Sequence, residues 1–294
     1  MKPPPFDYVA PETVDEALEI LGERGYDAKI LAGGQSLIPL LNFRLAAPAV
    51  LVDVNRLSEL AYIGETEKSL RIGALTRVSQ LERDPRVARL DPLLAAAVPH
   101  VAHPQIRNRG TVGGSLAHAD PAAELPVLAV ARRARLRIRS RDGERWADAG
   151  DFYQGLMTTD LAPEEMVVEM ELPPLPGGSG WAFVEFARRH GDYALMGVAA
   201  ILTPDGAGGC AEARLTYLSA GEVPVVAERA GALLADGSLS DEKLDEAAAL
   251  AAAEEVRPSP DIHASEAYKR HLAKVLTRRA LRQARERMSG GATG

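Results

Sequence analysis

Two glycine pairs set far apart constrain this chain more than any other feature. Gly33-Gly34 stands between a strand-like run, Lys29-Ile30-Leu31-Ala32, and an apolar stretch from Ser36 to Leu45. Gly113-Gly114 stands in Gly110-Thr111-Val112-Gly113-Gly114-Ser115, directly after Pro104-Gln105-Ile106-Arg107-Asn108-Arg109. Each is a small-residue turn able to aim several backbone N–H groups into one concavity, and such nests bind anions without a lysine. A helix starting near Ser36 would add its N-terminal dipole, and paired glycines let an extended ligand approach the backbone closely. Two such turns suit a dinucleotide with a diphosphate better than a single phosphate. The same residues would also serve two ordinary tight turns, and spacing alone names no ligand.

The flanking pattern is that of an α/β start. Thr13 and Glu16 form a capping box, followed by Val14, Ala17, Leu18 and Leu21 at helical spacing. Val50-Leu51-Val52-Asp53-Val54 reads as a strand, giving the order α–β–turn–helix–β. Further on, Ser69 to Ile72 and Met166 to Leu172 read as strands, and Arg77–Arg83 and Arg86–Val98 as helices. Ala134-Arg135-Leu136-Arg137-Ile138-Arg139 alternates with period two and runs into Arg141-Asp142-Gly143-Glu144, a hairpin signal. The Pro/Gly-rich stretch from Pro173 to Gly180 is the best boundary in the chain. Beyond it lie three strand-like runs, Trp181–Arg188, Leu195–Leu202 and Ala213–Ser219, then helical patterns at Val225–Leu234, Asp241–Glu254 and Ser265–Arg287. This predicts a three-stranded antiparallel sheet backed by helices.

Composition narrows the function classes. The 294 residues include 34 basic and 41 acidic side chains, a net charge of −7 that gives no footing for a nucleic-acid groove. The last helical pattern is basic and amphipathic, and a solvated face accounts for it. The single cysteine, Cys210, excludes an intrachain disulfide and a cysteine-ligated iron–sulfur cluster, which takes four thiolates. No apolar run is long enough to span a bilayer, and the N-terminus carries no signal-like segment, so a soluble, cytoplasmic protein is expected. His100 and His103 form H-x-x-H and His118 lies two residues from Asp120, but no fourth ligand completes a metal site. There is no P-loop. The Rossmann-like match at Gly206-Ala207-Gly208-Gly209-Cys210-Ala211 precedes a strand instead of a helix and reads as a hairpin loop.

Leu31-Ala32-Gly33-Gly34-Gln35-Ser36-Leu37-Ile38-Pro39 resembles the first FAD motif of the flavoprotein subunits of molybdenum hydroxylases. Gly110 to Ser115 resembles their second motif, with Asp120-Pro121 in the segment behind it. Phe6-Asp7-Tyr8, Gly191-Asp192-Tyr193-Ala194 and the stretches Tyr268 to His271 and Arg279 to Leu281 carry the resemblance nearly end to end. It is nearest to the medium chains of carbon monoxide dehydrogenases, with the FAD domains of xanthine dehydrogenases as relatives. The resemblance implies an α+β chain of the PCMH (vanillyl-alcohol-oxidase) type. Two α/β subdomains, 1–57 and 58–174, would hold FAD between them. An α+β domain, 175–288, would follow, then a flexible tail, 289–294. Ala32, Gly33, Gly34, Gln35 and Ser36, with Thr111, Val112, Gly113, Gly114 and Ser115, would contact the diphosphate and ribityl region. Asp120 lies beside them. Glu124 stands where relatives have an aspartate, keeping the charge on a side chain one methylene longer. Tyr193 matches a tyrosine packed near the isoalloxazine ring, although a core aromatic on a strand is the plainer alternative. Glu185 stands where relatives carry lysine, so that lysine's role is not transferred.

The implied function is electron transfer. A small subunit with two 2Fe–2S clusters and a large molybdopterin subunit would be the partners, in a dimer of heterotrimers. Non-covalent FAD would take electrons from a cluster and release them to an external acceptor. The flavin does the chemistry and the protein positions it, so no catalytic side chains are expected. Two alternatives stay open: a self-sufficient flavin oxidase of the same fold, and a non-enzymatic scaffold in which both turns are structural.

Overall fold

The computed structural model describes residues 2–235 and 237–290. The chain starts as β1 (Asp7–Val9), α1 (Val14–Arg24), β2 (Ala28–Leu31), α2 (Leu37–Asn42) and β3 (Val50–Asp53), with the strands in a parallel sheet of order β1-β3-β2. Thr13 caps α1 by accepting from the Glu16 amide at 3.2 Å. Glu16 reaches back to the Glu12 amide at 2.8 Å, one residue earlier than a capping box requires. Val14, Ala17, Leu18 and Leu21 are buried against Val50 and Val52. The helix after the first glycine pair is shorter than its apolar stretch, because Arg44 adopts φ 58° and turns the chain away.

The next segment runs β4 (Ile63–Thr66), β5 (Ser69–Gly73), α3 (Val78–Arg83), α4 (Pro85–Leu90), α5 (Pro92–Ala97), α6 (Pro104–Arg107), α7 (Val112–His118) and α8 (Glu124–Ala131). It continues with β6 (Arg135–Ser140), β7 (Gly143–Asp148), α9 (Ala149–Phe152), a small hairpin of β8 (Tyr153–Gly155) and β9 (Thr158–Thr159), and β10 (Met166–Leu172). Its main sheet is antiparallel, in the order β4-β5-β10-β6-β7. The alternating Arg/Leu/Ile run is β6 of the expected hairpin, with Leu136 and Ile138 fully buried. The single helix expected over 86–98 is instead two. A residue before proline is pushed out of the helical region, and Asp91, at φ −139° and ψ 76°, breaks the run. Its carboxylate then caps the second piece through the Leu94 amide (2.9 Å) and holds buried Arg132 at 2.6 Å.

The last segment is a sheet of β11 (Gly180–Ala187), β12 (Ala194–Pro204), β13 (Cys210–Leu218) and β14 (Val225–Val226), followed by α10 (Glu228–Leu234), α11 (Asp241–Leu250) and α12 (Glu266–Gly290). The three expected strands form its body. Val225 and Val226, read as the start of a helix, instead pair with β13 as a short fourth strand. β12 is apolar and buried from Ala194 to Leu202, with both its faces covered. Val198, Ala200 and Leu202 join the core under α12, while Ala199 and Ile201 join the core that includes α8. Part of the basic face of α12 is matched by acids on α11: Arg278 reaches Asp245 at 2.6 Å, and Arg282 and Arg285 both reach Asp241 at 2.8 Å. α12 continues to Gly290, so the first two residues of the expected tail are helical; 291–294 lie outside the described residues. Among the described residues, no helix is long and apolar enough to cross a membrane. The Gly206–Cys210 stretch is the β12–β13 hairpin, where Asp205 accepts from the Ala207 and Gly209 amides.

Candidate cofactor-binding site

The two glycine motifs meet. A Cβ on Gly33 would lie 2.5 Å from the Arg109 carbonyl oxygen and 2.9 Å from the Gly110 Cα, so only glycine lets the first turn rest on the approach to the second. Gly113 is pressed in the same way on Ala74, whose Cβ would be 2.5 Å away. Gly33 and Gly113 are thus required for close packing of the chain, a use compatible with either the plain-turn or the ligand reading of the sequence. Gly34 has φ +73°. Gly114 donates its N–H to Thr111 Oγ1 at 3.2 Å, and a Cβ there would crowd that hydroxyl at 2.7 Å.

A polar clamp ties the turns together. Asn55 Nδ2 donates to the Ala32 carbonyl (2.8 Å) and to Asp53 Oδ1 (2.6 Å), and its Oδ1 accepts from Arg77 Nη2 at 2.7 Å. Arg77 Nη1 donates to the Arg109 carbonyl. One asparagine–arginine pair thus grips the backbone of both motifs. Tyr8 donates to Asp53 Oδ2 at 2.6 Å. Partial burial opposes ionisation of Asp53, but the bonds from Tyr8 and Asn55 outweigh it and hold the carboxyl below its ordinary range.

Between these groups lies a cleft of about 370 Å³, lined by Leu31 to Gln35, Ile38, Pro39, Asp53, Asn55 and Arg109. No described residue accepts a hydrogen bond from the amides of Gly33, Gly34, Gln35 or Ser36. Gln35 folds its own side chain back to the Gly33 carbonyl at 3.2 Å. Free turn amides beside an arginine suit an anionic diphosphate, and the Asp53 carboxylate is an acceptor for hydroxyl groups. The second motif differs from the expected nest, because its amides are already committed. Val112 donates to Thr76, Gly113 to Ala74, Gly114 to Thr111 Oγ1 and Ser115 to the Thr111 carbonyl. Val112 and Gly113 are buried at the start of α7, Thr111 caps that helix, and Ser115 is half-buried. The signal for the first nest was in the sequence. Asn55, Arg77 and Arg109 were not picked out as ligand-site residues, for they form no motif and meet only in the fold.

The other candidate residues, Asp120, Glu124 and Tyr193, do not line this cleft. Asp120 Oδ1 accepts from the Ala122 amide at 2.9 Å. Glu124, the first residue of α8, is buried, and burial followed by the nearby Glu185 charge pushes its carboxyl up to about 8. The inference that Glu124 keeps the charge of an aspartate is thereby corrected: near neutral pH the buried acid favours its protonated form. Tyr193, in the β11–β12 connection, is 71% exposed, so it is not an interior aromatic. Its hydroxyl is raised by partial burial and by the Asp120 and Glu124 charges, which places the three residues in one neighbourhood.

The Glu124 shift predicts a pH-dependent stability. The folded chain holds this proton to higher pH than the unfolded chain does. The resulting stability is present below the ordinary glutamate pKa and is lost as pH rises through about 8. For the flavin-free protein, the loss is on the order of 4 kcal/mol, or about 10 °C in melting temperature. Glu124→Gln should flatten the decline between pH 5 and 8.5. Parallel melting curves for the two proteins across that window would show that Glu124 ionises normally.

Comparison with known proteins agrees with this architecture. Residues 4–175 match the FAD binding domain in molybdopterin dehydrogenase, and residues 181–284 match the CO dehydrogenase flavoprotein C-terminal domain. The chain belongs to this family of molybdopterin-dehydrogenase flavoproteins. It is 45% identical to the alpha subunit of the 6-hydroxypseudooxynicotine dehydrogenase complex of Paenarthrobacter nicotinovorans, over 98% of this chain and 97% of that one. It is 36% identical to the carbon monoxide dehydrogenase medium chain of Hydrogenophaga pseudoflava, over 97% and 98%. Among solved structures, a chain of the Hydrogenophaga pseudoflava carbon monoxide dehydrogenase superposes with a TM-score of 0.94 at 38% identity, covering 98% of this chain and 99% of that one. A chain of quinoline 2-oxidoreductase from Pseudomonas putida 86 gives 0.92 at 40%, covering 97% and 99%.

Proposed function

We propose that this chain is the FAD-carrying electron-transfer subunit of a molybdenum hydroxylase. Its relatives are subunits of dehydrogenase complexes. The observation that carries the reading is the turn Gly33–Ser36, whose amides have no acceptor among the described residues and which opens on the same cleft as Arg109. These amides and Arg109 would hold the diphosphate. Asp53 would accept from a ribose or ribityl hydroxyl, with Thr111 and Ser115 offering hydroxyls from the second motif. The Asn55–Arg77 clamp would keep the two turns closed on each other. Asp120, Glu124 and Tyr193 would border the isoalloxazine end. Bound FAD supplies redox chemistry able to take electrons singly and pass them on in pairs.

The iron–sulfur small subunit and the molybdopterin large subunit would carry the other steps, in a dimer of heterotrimers. Substrate choice then lies with the large subunit. The proposed division into 1–57, 58–174 and 175–288 would give each of the three main sheets its own unit. A cytoplasmic setting suits a chain whose single thiol, Cys210, is buried and unpaired.

The test is cofactor selectivity. FAD at a hundredfold excess over its dissociation constant stabilises by about 2.7 kcal/mol, a rise in melting temperature of about 5–10 °C for a chain of this size. FMN, which lacks the diphosphate, should produce a much smaller shift, and acid precipitation should release all the flavin. An equal shift with FMN, or a yellow pellet, would contradict the diphosphate site or the non-covalent attachment.

A further inference from the structure

A cluster of ionisable groups at the seam between α8 and the C-terminal sheet has no part in holding the diphosphate. Glu124 opens α8 and Glu185 lies in β11; both carboxylates are buried, with only 6% of the Glu185 side chain exposed. His100, at the end of the turn Val98–His100, places Nδ1 3.3 Å from Glu185 Oε1. Glu185 Oε2 is buried with no hydrogen-bond partner among the described residues, an acceptor left open inside the protein. The His100 side chain is 35% exposed, which makes it the link between this interior acceptor and water. Its ring stands edge-on to Phe183 at 5.4 Å and lies 6.4 Å from His190.

The groups facing the cluster come from every element around it. Asp120 precedes α8. His190 and Tyr193 belong to the β11–β12 connection, which packs at Gly191 against His103. Arg188, at the base of that connection, is bonded to His263 at 2.8 Å. Two carboxylates buried side by side do not both ionise cheaply, and a histidine in reach of one of them supports a single charge there. The shifts follow that logic: the bond to Glu185 raises His100, and burial together with Glu185 raises Glu124.

We propose that Glu185, fed from solvent through His100 and held near Glu124, is a proton-accepting site coupled to reduction of the flavin. The proposal rests on the functional reading above, which brings Tyr193 and Glu124 to the isoalloxazine end. FAD held here would take two electrons from reduced iron–sulfur clusters of the partner subunit with one proton of its own, and so would add one negative charge beside these residues. The added negative charge raises the proton affinity of the buried carboxylate nearby. A second proton then enters from water by way of the His100 imidazole and forms an O–H bond on Glu185, so two protons accompany each electron pair. Reoxidation returns both protons to solvent.

The midpoint potential of the FAD-loaded chain, measured spectroelectrochemically between pH 7 and 9 in a Glu124→Gln background that removes an acid titrating near pH 8, tests this. Each proton taken up per electron pair changes the potential by about 30 mV per pH unit. The potential of that protein should fall by about 60 mV per unit, and that of the same protein with Glu185→Gln by about 30, while His100→Gln should keep the slope and slow only the approach to equilibrium. Equal slopes with and without Glu185→Gln would overturn the proposal. NMR titration of His100 in the flavin-free chain separates this outcome from failure of the flavin reading. The imidazole should titrate above its ordinary value in wild type and near it in Glu185→Gln. An identical His100 titration in the two would show that the pair is not formed and would also overturn the proposal. A coupled His100 in a chain that takes up no FAD would instead refute the functional reading on which the proposal stands.

Discussion

Gly34→Val and Gly114→Val should each yield protein that purifies without flavin. At Gly34 the backbone sits at φ +73°, where a β-branched residue is strained by its conformation alone. Its Cβ would also stand 3.2 Å from Ile38 Cγ1 and 3.4 Å from Leu31 Cδ1. The turn would have to re-form, scattering the amides of Gly33 to Ser36. At Gly114 the new Cβ would lie 2.7 Å from Thr111 Oγ1, the hydroxyl that caps α7 through the Gly114 amide. Losing that cap costs about 1 kcal/mol, and the shift of α7 would pass to the seam between the turns. Affinity should drop at least a hundredfold in both variants. Gly208→Ala is the control: nothing lies within 4 Å of a Cβ there, and the loop is far along the chain in the β12–β13 hairpin. Flavin content should stay near wild type despite mild strain at φ +96°. If Gly208→Ala strips the flavin and Gly114→Val keeps it, the site lies elsewhere.

How much of this was readable beforehand depends on whether a feature is local. The cap at Thr13, the alternation in β6 and the doubly buried run of β12 are written in short stretches, and each was recognisable from neighbouring residues. The break at Asp91 was missed although proline marks it, because the apolar spacing continues smoothly across it. Val225 and Val226 continue the helical spacing of the residues after them, and their pairing with β13 is a tertiary event that no local pattern announces. The glycine motifs were visible, and so was the family resemblance they carry. The different uses of the two motifs were not. Whether an amide is free depends on what lies opposite: Ala74 and Thr76 consume those of the second motif, and no described residue accepts those of the first. The Asn55–Arg77 clamp draws on single polar residues from separate elements, with no spacing rule to find them. The raised pKa of Glu124 likewise comes from burial and from Glu185, which only the folded chain brings near.

The second large effect concerns partners. An electron-transfer subunit binds flavin yet does not oxidise the substrate of its complex, because substrate chemistry belongs to the molybdenum centre on another chain. Turnover by the isolated, FAD-loaded protein should therefore be at background. Adding the iron–sulfur and molybdopterin subunits should restore turnover in a hetero-oligomer visible by size exclusion. Electron tunnelling falls steeply with distance, so the cluster-bearing subunit should dock over the surface that carries the exposed Tyr193.

Anaerobic reduction followed at the flavin band near 450 nm is the most direct test of the electron-transfer reading. The FAD-loaded chain is mixed with candidate substrates (carbon monoxide, an aldehyde, a purine, an N-heterocycle), first alone and then with both partner subunits. The account predicts that the band persists in the chain alone and bleaches rapidly once the iron–sulfur and molybdenum subunits are present with a substrate of the complex. Rapid bleaching by any of these compounds with no partner present would contradict it and make the chain a self-sufficient flavin oxidase.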